Sequence, residues 1–449
     1  MSLMTSLYRT YDYSQIPIAQ IADNDKYELS KISNVTLKEL CSGDNPNLLI
    51  FPHQLDEYKD GIADSYICKI DQYGLQTGDL MGFVGVNECQ LTIASRFSKH
   101  DEEDFFLHYM LQKVFNINML DLQHSMSNNR VFDFLAYMFP YYLKRALRQG
   151  LYKKYVSRKC NNANIKGRID IPLHIKYNNP FIGRVAYNVR EYSYDNELTQ
   201  LIRHTIEYIR GTHMNSVLKA DADTEMCVLQ ICNNTQSYNL RDLPSIINKN
   251  RKTVNHSFYT EYRLLQKICM QILQHKRLKY GVENDKIYGL LFSGSWLWEE
   301  FLFKSILSDC GFKHPQNRAG KGGIYLFDKS GYGFEIANSR CKRYPDYFKE
   351  NFILDAKYKH LDSNHIDRDD MHQVIAYMYV EEARIGGFIY PSVKDTTQVV
   401  QLGVLRGYAG RMYNIGVSIP KSQQTYRDFV EKMGANIEQL KNYILDLSS

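Results

Sequence analysis

Residues 344–358, YPDYFKENFILDAKY, form the stretch around which the rest of the chain is organised. Asn351 to Tyr358 is short and mostly apolar, which predicts a buried strand. Asp355 and Lys357 lie two positions apart, so the alternation of a strand directs both side chains to the same face. Asp346 lies upstream, after a proline, and a reversal of the chain between the two acids would bring them together. Two carboxylates and one ammonium are therefore expected to converge.

Such a cluster has a known chemical use. The carboxylates of Asp346 and Asp355, with the backbone carbonyl of Ala356, are hard oxygen ligands that suit Mg²⁺, or Mn²⁺ in its place. Lys357 can orient or deprotonate an attacking water, or offset negative charge on a phosphate. The pattern resembles the PD-(D/E)xK nuclease signature, with Pro345 supplying its first letter. The alternative is an exposed hairpin that carries an ion pair at the end of a strand.

The residues that follow predict a second strand joined to the first by a helix. Arg368 to Glu382 has apolar residues at helical spacing, and Arg384 to Pro391 has the composition of a strand. A strand, a helix and a strand in this order predict a parallel pair with a right-handed crossover. Gln373 and Tyr377 lie one turn apart and can face the first strand. The alternative is that they form the polar edge of an amphipathic helix.

An acid pair precedes the stretch. Leu291 to Leu307 is predicted as a helix that carries Glu299 and Glu300 inside an apolar run. Neighbouring helical residues point about a third of a turn apart, so one acid can face the pocket while the other faces solvent. The residues alone do not decide which of the two faces inward.

The order of these motifs resembles the nuclease domain of the McrC family, the endonuclease subunit of McrBC-type restriction systems for 5-methylcytosine and similar DNA modifications. The resemblance rests on Glu299 within LWEEFL, on the PD and ILDAKYK motifs, and on Asp370 and Gln373 in a DxxQ motif with Tyr377 after it. The order of the elements is more specific than any single motif.

A second match lies outside the nuclease region. KGRID at Lys166 to Asp170 and the run from Arg184 to Ile206, which contains YDNELTQ, resemble the central segment of the same family. The two matches cover about the last two-thirds of the chain, whereas the first 150 residues match only loosely.

The resemblance implies a Mg²⁺-dependent DNA endonuclease whose catalytic residues are Asp346, Asp355, Lys357, Glu299 and Gln373, with Glu299 also a metal ligand. It implies a separate AAA+ GTPase subunit that forms a ring, recognises the modified double-stranded DNA and drives translocation. The P-loop pattern GxxxxGK[ST] is absent from this chain. The alternatives are a nuclease of a repair or mobile-element system, and an inactive subunit that binds DNA or serves in assembly.

Length predicts more than one domain, because a chain of 449 residues exceeds the size at which one core keeps growing. The expected fold class is mixed α/β. Residues 1–160 are expected to form a β-rich domain with trailing helices, which binds the partner and carries no catalytic cluster. Residues 161–285 are expected to be mainly helical. Residues 286–449 are expected to form the PD-(D/E)xK nuclease domain.

The net charge of +5 neither demands nor excludes nucleic acid. The basic run beside the predicted site is more informative, because Lys and Arg next to Tyr suit contact with phosphates. Arg340, Lys342, Arg343 and Lys359 are the candidate DNA-binding residues, and a solvated surface is the alternative.

Other classes of site are not indicated. The nine cysteines form no CxxC pair, and the histidines show no HExxH or HxH spacing, so a zinc centre or a disulfide framework is not expected. The chain lacks a long apolar run and an apolar amino-terminal segment, which predicts a cytoplasmic protein without a membrane span.

Overall fold

The computed structural model describes residues 6–42, 48–52, 62–87, 89–98, 104–115, 130–278, 287–315, 322–327, 342–362 and 366–448. The strands are, in chain order, β1 (Ser6–Tyr11), β2 (Gln15–Pro17), β3 (Leu48–Phe51), β4 (Cys68–Ile70), β5 (Gly74–Thr77), β6 (Leu80–Val86), β7 (Cys89–Ala94), β8 (Lys154–Asn162), β9 (Arg168–Ile169), β10 (Val185–Ser193), β11 (Ile287–Ser293), β12 (Ile324–Tyr325), β13 (Lys342–Arg343), β14 (Tyr347–Lys349), β15 (Phe352–Ala356), β16 (Ile385–Ser392), β17 (Gln398–Val404) and β18 (Arg411–Ser418).

The α-helices are α1 (Asp23–Ser30), α2 (Leu37–Ser42), α3 (Phe105–Phe115), α4 (Arg130–Arg148), α5 (Ile171–Tyr177), α6 (Glu197–Arg210), α7 (Ala222–Asn234), α8 (Leu243–Lys249), α9 (Tyr262–Leu278), α10 (Gly294–Leu302), α11 (Arg368–Val380) and α12 (Tyr426–Ser448). Short 3₁₀ helices lie at Ile18–Gln20, Ile62–Asp64, His213–Lys219 and Leu240–Asp242, and α10 continues into a π-helical turn at Phe303–Leu307. The mixed α/β class expected from the sequence is confirmed.

The chain divides into two compact units. The first unit joins residues 1–124 to residues 283–449, and the second contains residues 125–282. The sequence predicts three consecutive domains with boundaries at 160 and 285, and the structure differs from this arrangement. The physical reason is strand β11, which follows the second unit in the chain and completes the sheet that the amino-terminal strands begin.

That first sheet has the order β1-β7-β6-β11-β3. Strand β11 pairs antiparallel with β6 and parallel with β3, and its Leu291 is fully buried in the core of the sheet. Gly82 in β6 has a φ of 127°, and a Cβ there would lie 2.1 Å from the Leu290 carbonyl oxygen, so only glycine allows this close pairing. A smaller sheet, β2-β5-β4, adds to the β-rich region that the sequence predicts.

The predicted helix from Leu291 to Leu307 is wrong at its beginning. Leu291 to Ser293 belong to strand β11, and helix α10 begins only at Gly294. Ser293 is the N-cap, since its Oγ accepts a hydrogen bond of 3.3 Å from the Trp296 N–H. The apolar run before the cap therefore extends as a central strand.

The second sheet of this unit has the order β14-β15-β16-β18-β17. Strands β15 and β16 are parallel and are joined through α11, which confirms the predicted strand, helix and strand. Ile353 of β15, Val374 and Met378 of α11, and Phe388 of β16 are all buried in one apolar cluster. This packing holds the helix against the strand that carries Asp355.

The second unit contains helices α4 to α9 and a three-stranded antiparallel sheet of order β8-β10-β9. Residues 161–285 are therefore mainly helical, as expected, but they also contain the strands β9 and β10. The segment GRIDIPLHI has the apolar alternation of a strand, but β9 ends at Ile169 and α5 follows. Asp170 caps that helix by accepting a hydrogen bond of 3.1 Å from the Leu173 N–H, and a proline in the first turn favours the helix.

Two further features are the state of the cysteines and the hydropathy of the helices. Within the described part of the chain the cysteines are free thiols; Cys68, Cys89, Cys269 and Cys310 are buried, and Cys41 is exposed. Of the described helices, none is both long and apolar enough to cross a membrane.

Candidate active site

Strands β14 and β15 form the hairpin that brings the two aspartates together. Tyr347 pairs with Leu354, so the antiparallel register continues to Asp346 opposite Asp355. The turn is made by Asn351, which has a φ of 66°. The Ala356 N–H donates a hydrogen bond of 2.7 Å to Asp346 Oδ2, which holds that carboxylate against the end of β15. The predicted convergence of Asp346 and Asp355 is thus present in the structure.

The two carboxylates are a charged pair in a buried place. Asp355 is only 3% exposed. Burial raises the pKa of Asp355, against the opposing effect of Lys357. Burial also raises the pKa of Asp346 strongly, and the negative charges of Asp355 and Glu299 add to this effect. A pair with these properties favours the binding of a cation or a proton.

Lys357 lies just beyond the end of β15, and its ammonium joins two acids. Its Nζ atom lies 2.7 Å from Asp355 Oδ2 and 2.9 Å from Asp370 Oδ1. These two carboxylates raise the pKa of Lys357 although burial acts to lower it, so the side chain is a cation in this arrangement. The contact with Asp355 Oδ2 is an ion pair without regular hydrogen-bond angles. A charged lysine suits orientation of water or phosphate better than removal of a proton.

Asp370 is more central than the sequence indicates. It lies in the first turn of α11, and in the sequence it stands out only as the first letter of the DxxQ motif. Burial acts to raise its pKa, but Lys357 and Lys359 together lower it, so Asp370 is the ionised partner of both lysines. It therefore helps to set the position of the Lys357 ammonium.

Glu299 and Glu300 of α10 both lie near the hairpin and share a histidine. His314 Nε2 lies 3.6 Å from Glu299 Oε1 and 3.7 Å from Glu300 Oε1, while His314 Nδ1 lies 2.7 Å from the Asp346 carbonyl oxygen. The charge of Glu299 is the one that acts on Asp346, and Glu300 also pairs with Lys304 at 3.7 Å. This arrangement favours Glu299 as the glutamate whose side chain faces the two aspartates.

His314 is the residue that sequence reasoning missed. Burial acts to lower its pKa, but Glu300 and the Asp346 carbonyl raise it. No spacing motif surrounds this histidine in the sequence. Its position follows from a bridge in which the backbones of Lys313 and Phe348 exchange hydrogen bonds of 2.8 Å and 3.0 Å, and a sequence pattern does not reveal such a contact.

Gln373 and Tyr377 lie on one face of α11, as predicted. Gln373 Nε2 donates a hydrogen bond of 2.8 Å to the Tyr377 hydroxyl. Burial raises the pKa of Tyr377, and the charges of Asp355 and Asp346 act in the same direction, so this ring lies near the two aspartates. The role of Gln373 in catalysis stays a prediction.

The four candidate DNA-binding residues have different surroundings. Arg343 on β13 is exposed, and the Lys342 Nζ atom lies 5.2 Å from the centre of the Tyr344 ring. Arg340 lies outside the described residues. Lys359 Nζ lies 3.0 Å from Asp367 and 3.1 Å from Asp370, and its role in DNA binding stays a prediction.

The oxygen donors of the site meet some of the requirements of Mg²⁺. Within the described residues there is no group of three or more His, Cys, Asp or Glu side chains arranged for a metal. Asp346 and Asp355 fit this ion nevertheless, because Asp355 is buried, Asp346 is half-buried, and their negative charges repel each other. Mg²⁺ in proteins often takes one or two carboxylates and keeps several waters. The Ala356 carbonyl and Glu299 stay predicted ligands.

Comparison with known proteins gives a family and a fold. The family model described as McrBC 5-methylcytosine restriction system component matches residues 75–391. The fold is similar to a chain in the half-complex from a tetradecameric assembly of Thermococcus gammatolerans McrB AAA+ hexamers with bound McrC. That likeness has a TM-score of 0.51 and 15% identity, and it covers 98% of this chain and 100% of the other.

A second solved structure is less similar. A chain of the Thermococcus gammatolerans McrBC complex is matched with a TM-score of 0.33 and 14% identity, over 67% of this chain and 86% of that one. No curated protein matches the chain in sequence.

Proposed function

Because the family match spans more than two-thirds of its residues, the chain belongs to the McrBC 5-methylcytosine restriction system component family, and on this premise we propose that it is the DNA endonuclease subunit of such a system. It hydrolyses phosphodiester bonds of double-stranded DNA with Mg²⁺, in complex with an AAA+ GTPase whose GTP hydrolysis it stimulates. The observation that carries the proposal is the hairpin that sets Asp346 against Asp355 with Lys357 beside them.

The residues divide the chemical work. Asp346 and Asp355 would hold the metal, which when bound supplies Lewis-acid polarisation of the phosphate and activation of water. Lys357, kept as a cation by Asp355 and Asp370, offsets the charge that develops on the phosphate and orients the attacking water. Gln373 lies one turn after Asp370 and can contact the water or the phosphate from the same helix.

The charge of the site explains why the activity should need a cation. Asp346, Asp355, Glu299 and Glu300 lie near one another, and among the described residues His314, Lys304 and Lys357 lie beside them. Several carboxylates in one place disfavour the approach of a phosphate backbone. A divalent ion would remove that repulsion, and the basic residues of β13 would attract the backbone at the edge.

The proposal of a partner is supported by the structural neighbour. That neighbour comes from an assembly of AAA+ hexamers with bound McrC, and its fold extends over nearly all of this chain. The sequence of this chain contains no P-loop pattern, so GTP hydrolysis is assigned to the partner. The chain then supplies the cut, and the ring supplies recognition and movement along DNA.

The test replaces Asp355 and measures cleavage. Asp355→Ala should lower Mg²⁺-dependent cleavage of DNA carrying 5-methylcytosine, in the presence of the GTPase subunit, by at least about a thousandfold, because the metal's charge stabilisation is lost. Asp369→Ala is the matched control, since this side chain is 93% exposed and, among the described residues, pairs with its neighbour Arg368. Cleavage by Asp355→Ala within about tenfold of the wild type would overturn the site. Equal cleavage of unmodified DNA without the partner would favour a repair-type nuclease instead.

A further inference from the structure

The imidazole of His314 lies between helix α10 and the hairpin that carries the two aspartates. Its Nδ1 atom lies 2.7 Å from the Asp346 carbonyl oxygen. A carbonyl oxygen only accepts hydrogen bonds, so Nδ1 carries the hydrogen and donates it. Its Nε2 atom lies 3.6 Å from Glu299 Oε1 and 3.7 Å from Glu300 Oε1. One ring therefore links the backbone of a predicted metal ligand to two acids of a different element.

The imidazole is also held by two aromatic rings and by its own backbone. Its centre lies 5.0 Å from the centre of the Phe303 ring and 5.4 Å from that of the Tyr347 ring. Only 11% of the His314 side chain is exposed. The backbone of Lys313, the preceding residue, exchanges two hydrogen bonds with Phe348 of β14. The position of the imidazole relative to the hairpin is thus fixed from several sides.

Helix α10 and strand β14 are joined by a second contact. The Tyr347 hydroxyl donates a hydrogen bond of 2.6 Å to the Glu299 carbonyl oxygen, and the Tyr347 side chain is fully buried. At Phe303 the helix passes into the π-helical turn, in which the Ser308 N–H donates a hydrogen bond of 2.9 Å to the Phe303 carbonyl. Such turns within helices are frequent at functional sites. The backbone that carries the two glutamates is therefore fixed relative to β14.

Two other roles for His314 fit these contacts less well. A general acid or base must come within hydrogen-bond distance of the substrate or its water. In His314 the Nδ1 atom is used by the Asp346 carbonyl, Nε2 faces two carboxylates, and the side chain is largely buried. A second metal centre is not indicated, because the described residues contain no group of three His, Cys, Asp or Glu side chains arranged for a metal.

We propose that His314 is a positioning residue of the nuclease site, which holds the Asp346 backbone through Nδ1 while the two glutamates orient the ring through Nε2. The inference rests on the proposed nuclease function and adds a residue to it. Asp346 is then fixed at both ends, because the Ala356 N–H donates a hydrogen bond of 2.7 Å to its Oδ2 atom. A carboxylate held in this way loses little conformational freedom when it binds a metal.

The contact with the carbonyl should carry most of the effect. At 2.7 Å it has the length of a hydrogen bond, whereas the distances of 3.6 Å and 3.7 Å to the glutamates exceed that length. Groups that orient a metal ligand typically contribute about 10- to 100-fold to metal affinity. A replacement that keeps a donor at the position of Nδ1 should therefore keep most of the affinity.

The experiment compares three neutral replacements of His314 in the full chain. His314→Asn places an amide N–H near the position of Nδ1 and can still donate to the Asp346 carbonyl. His314→Gln places its amide near the position of Nε2 and loses that contact, and His314→Phe keeps the aromatic packing but loses both contacts. Because all three side chains are neutral, differences among them report on contacts and not on charge. His256→Phe, at an exposed histidine of the second unit, is the matched control.

Binding of Mn²⁺ alone is measured from the electron paramagnetic resonance signal of the free ion, without DNA or the GTPase subunit. His314→Asn should bind within about threefold of the wild type, whereas His314→Gln and His314→Phe should bind about tenfold or more weakly. His256→Phe should bind like the wild type. Single-turnover cleavage by His314→Phe at saturating Mn²⁺, with the GTPase subunit, should stay within about threefold of the wild type, because the chemical groups are intact once the metal is bound. Denaturant unfolding checks that each variant is folded.

The results separate this inference from the proposed function. Equal Mn²⁺ affinity of the wild type and His314→Phe, beside a loss in Asp355→Ala, would overturn the role of His314 and leave the nuclease site in place. Normal affinity in Asp355→Ala would overturn the proposed site itself, and the inference with it. A loss in His314→Asn as large as that in His314→Gln would also overturn the inference, because the carbonyl contact would then have no effect. If His314→Phe does not fold, this comparison of Asn with Gln still decides, since the two differ in the same contact.

Discussion

The Lys357 ammonium lies 2.9 Å from Asp370 Oδ1, and so the lysine of the hairpin is held by an acid from the following helix. Asp370 is ionised, since Lys357 and Lys359 lower its pKa against the effect of burial. The position of the lysine is therefore set by two elements, strand β15 and helix α11, and both must be in place for the site to be complete.

Replacing Asp370 should test this arrangement. Asp370→Asn keeps the shape but removes the charge that holds Lys357, and cleavage should fall by roughly tenfold to a hundredfold. Asp367→Asn is the control, because Asp367 is 71% exposed and its ion pair in the described part of the chain is with Lys359, not with Lys357. Rates are measured under single-turnover conditions with both subunits. If the two variants cleave equally well, the contact between Asp370 and Lys357 has no part in catalysis.

Lys357 should act in chemistry rather than in metal binding. Its ammonium occupies one oxygen of Asp355, so Lys357→Ala removes a competing cation from that carboxylate. The variant should lose cleavage by at least about a hundredfold, yet bind Mg²⁺ or Mn²⁺ as tightly as the wild type or more tightly. Titration calorimetry on the full chain measures the binding. A variant that no longer binds the metal would mean that Lys357 holds the carboxylates together.

Arg96 lies just after strand β7 of the first sheet and contacts Tyr358, which lies just after strand β15. Its guanidinium donates a hydrogen bond to the Tyr358 carbonyl oxygen and lies 4.9 Å from the centre of the Tyr358 ring. Tyr358 directly follows Lys357, so Arg96→Ala should displace the lysine and lower the cleavage rate by about tenfold. Tyr358→Phe keeps the carbonyl and loses the hydroxyl contacts with Ser95 at 2.7 Å and with Met81 Sδ at 3.3 Å. It should cost about 1 kcal/mol of unfolding free energy and leave the rate nearly unchanged.

Asp12 should make the stability depend on pH. Burial raises the pKa of Asp12 from its ordinary value of 3.8 to about 7, although Arg96 opposes the shift. Between these values the folded state holds a proton that the unfolded state has released, so the free energy of unfolding falls as the pH rises through that window. Denaturant unfolding of the wild type and of Asp12→Asn is compared at about pH 5 and about pH 8. From the lower to the higher pH, the free energy of unfolding of the asparagine variant should rise by about 3 kcal/mol relative to that of the wild type. A constant difference would mean that the pKa of Asp12 is not raised in this way.

The sequence predicts the hairpin and the following unit because their determinants are local. Asp346 and Asp355 are separated by one turn, and the register follows from the alternation of two short strands. The helix at residues 368–380 and the strand after it follow in the same way from apolar spacing. In each case the residues that specify the element lie inside it.

The missed features depend on contacts between distant segments. Strand β11 has an apolar run that fits a helix equally well, and only its pairing with β6 and β3, more than 200 residues earlier, makes it a strand. His314 reaches Asp346 through a backbone bridge to Phe348, and it has no motif of its own. In GRIDIPLHI the cap at Asp170 outweighs the alternating pattern, because it satisfies a backbone donor of the helix that begins there.

The central place of β11 in the first sheet has a consequence for synthesis and folding. Strands β3 and β6 leave the ribosome early, but the strand that lies between them is made only after the whole second unit. Until then both have open edges, and closing the sheet requires a contact across a loop of more than 200 residues. We expect the second unit to fold first and the amino-terminal strands to wait, so that a fragment that stops before residue 287 would expose those edges and aggregate.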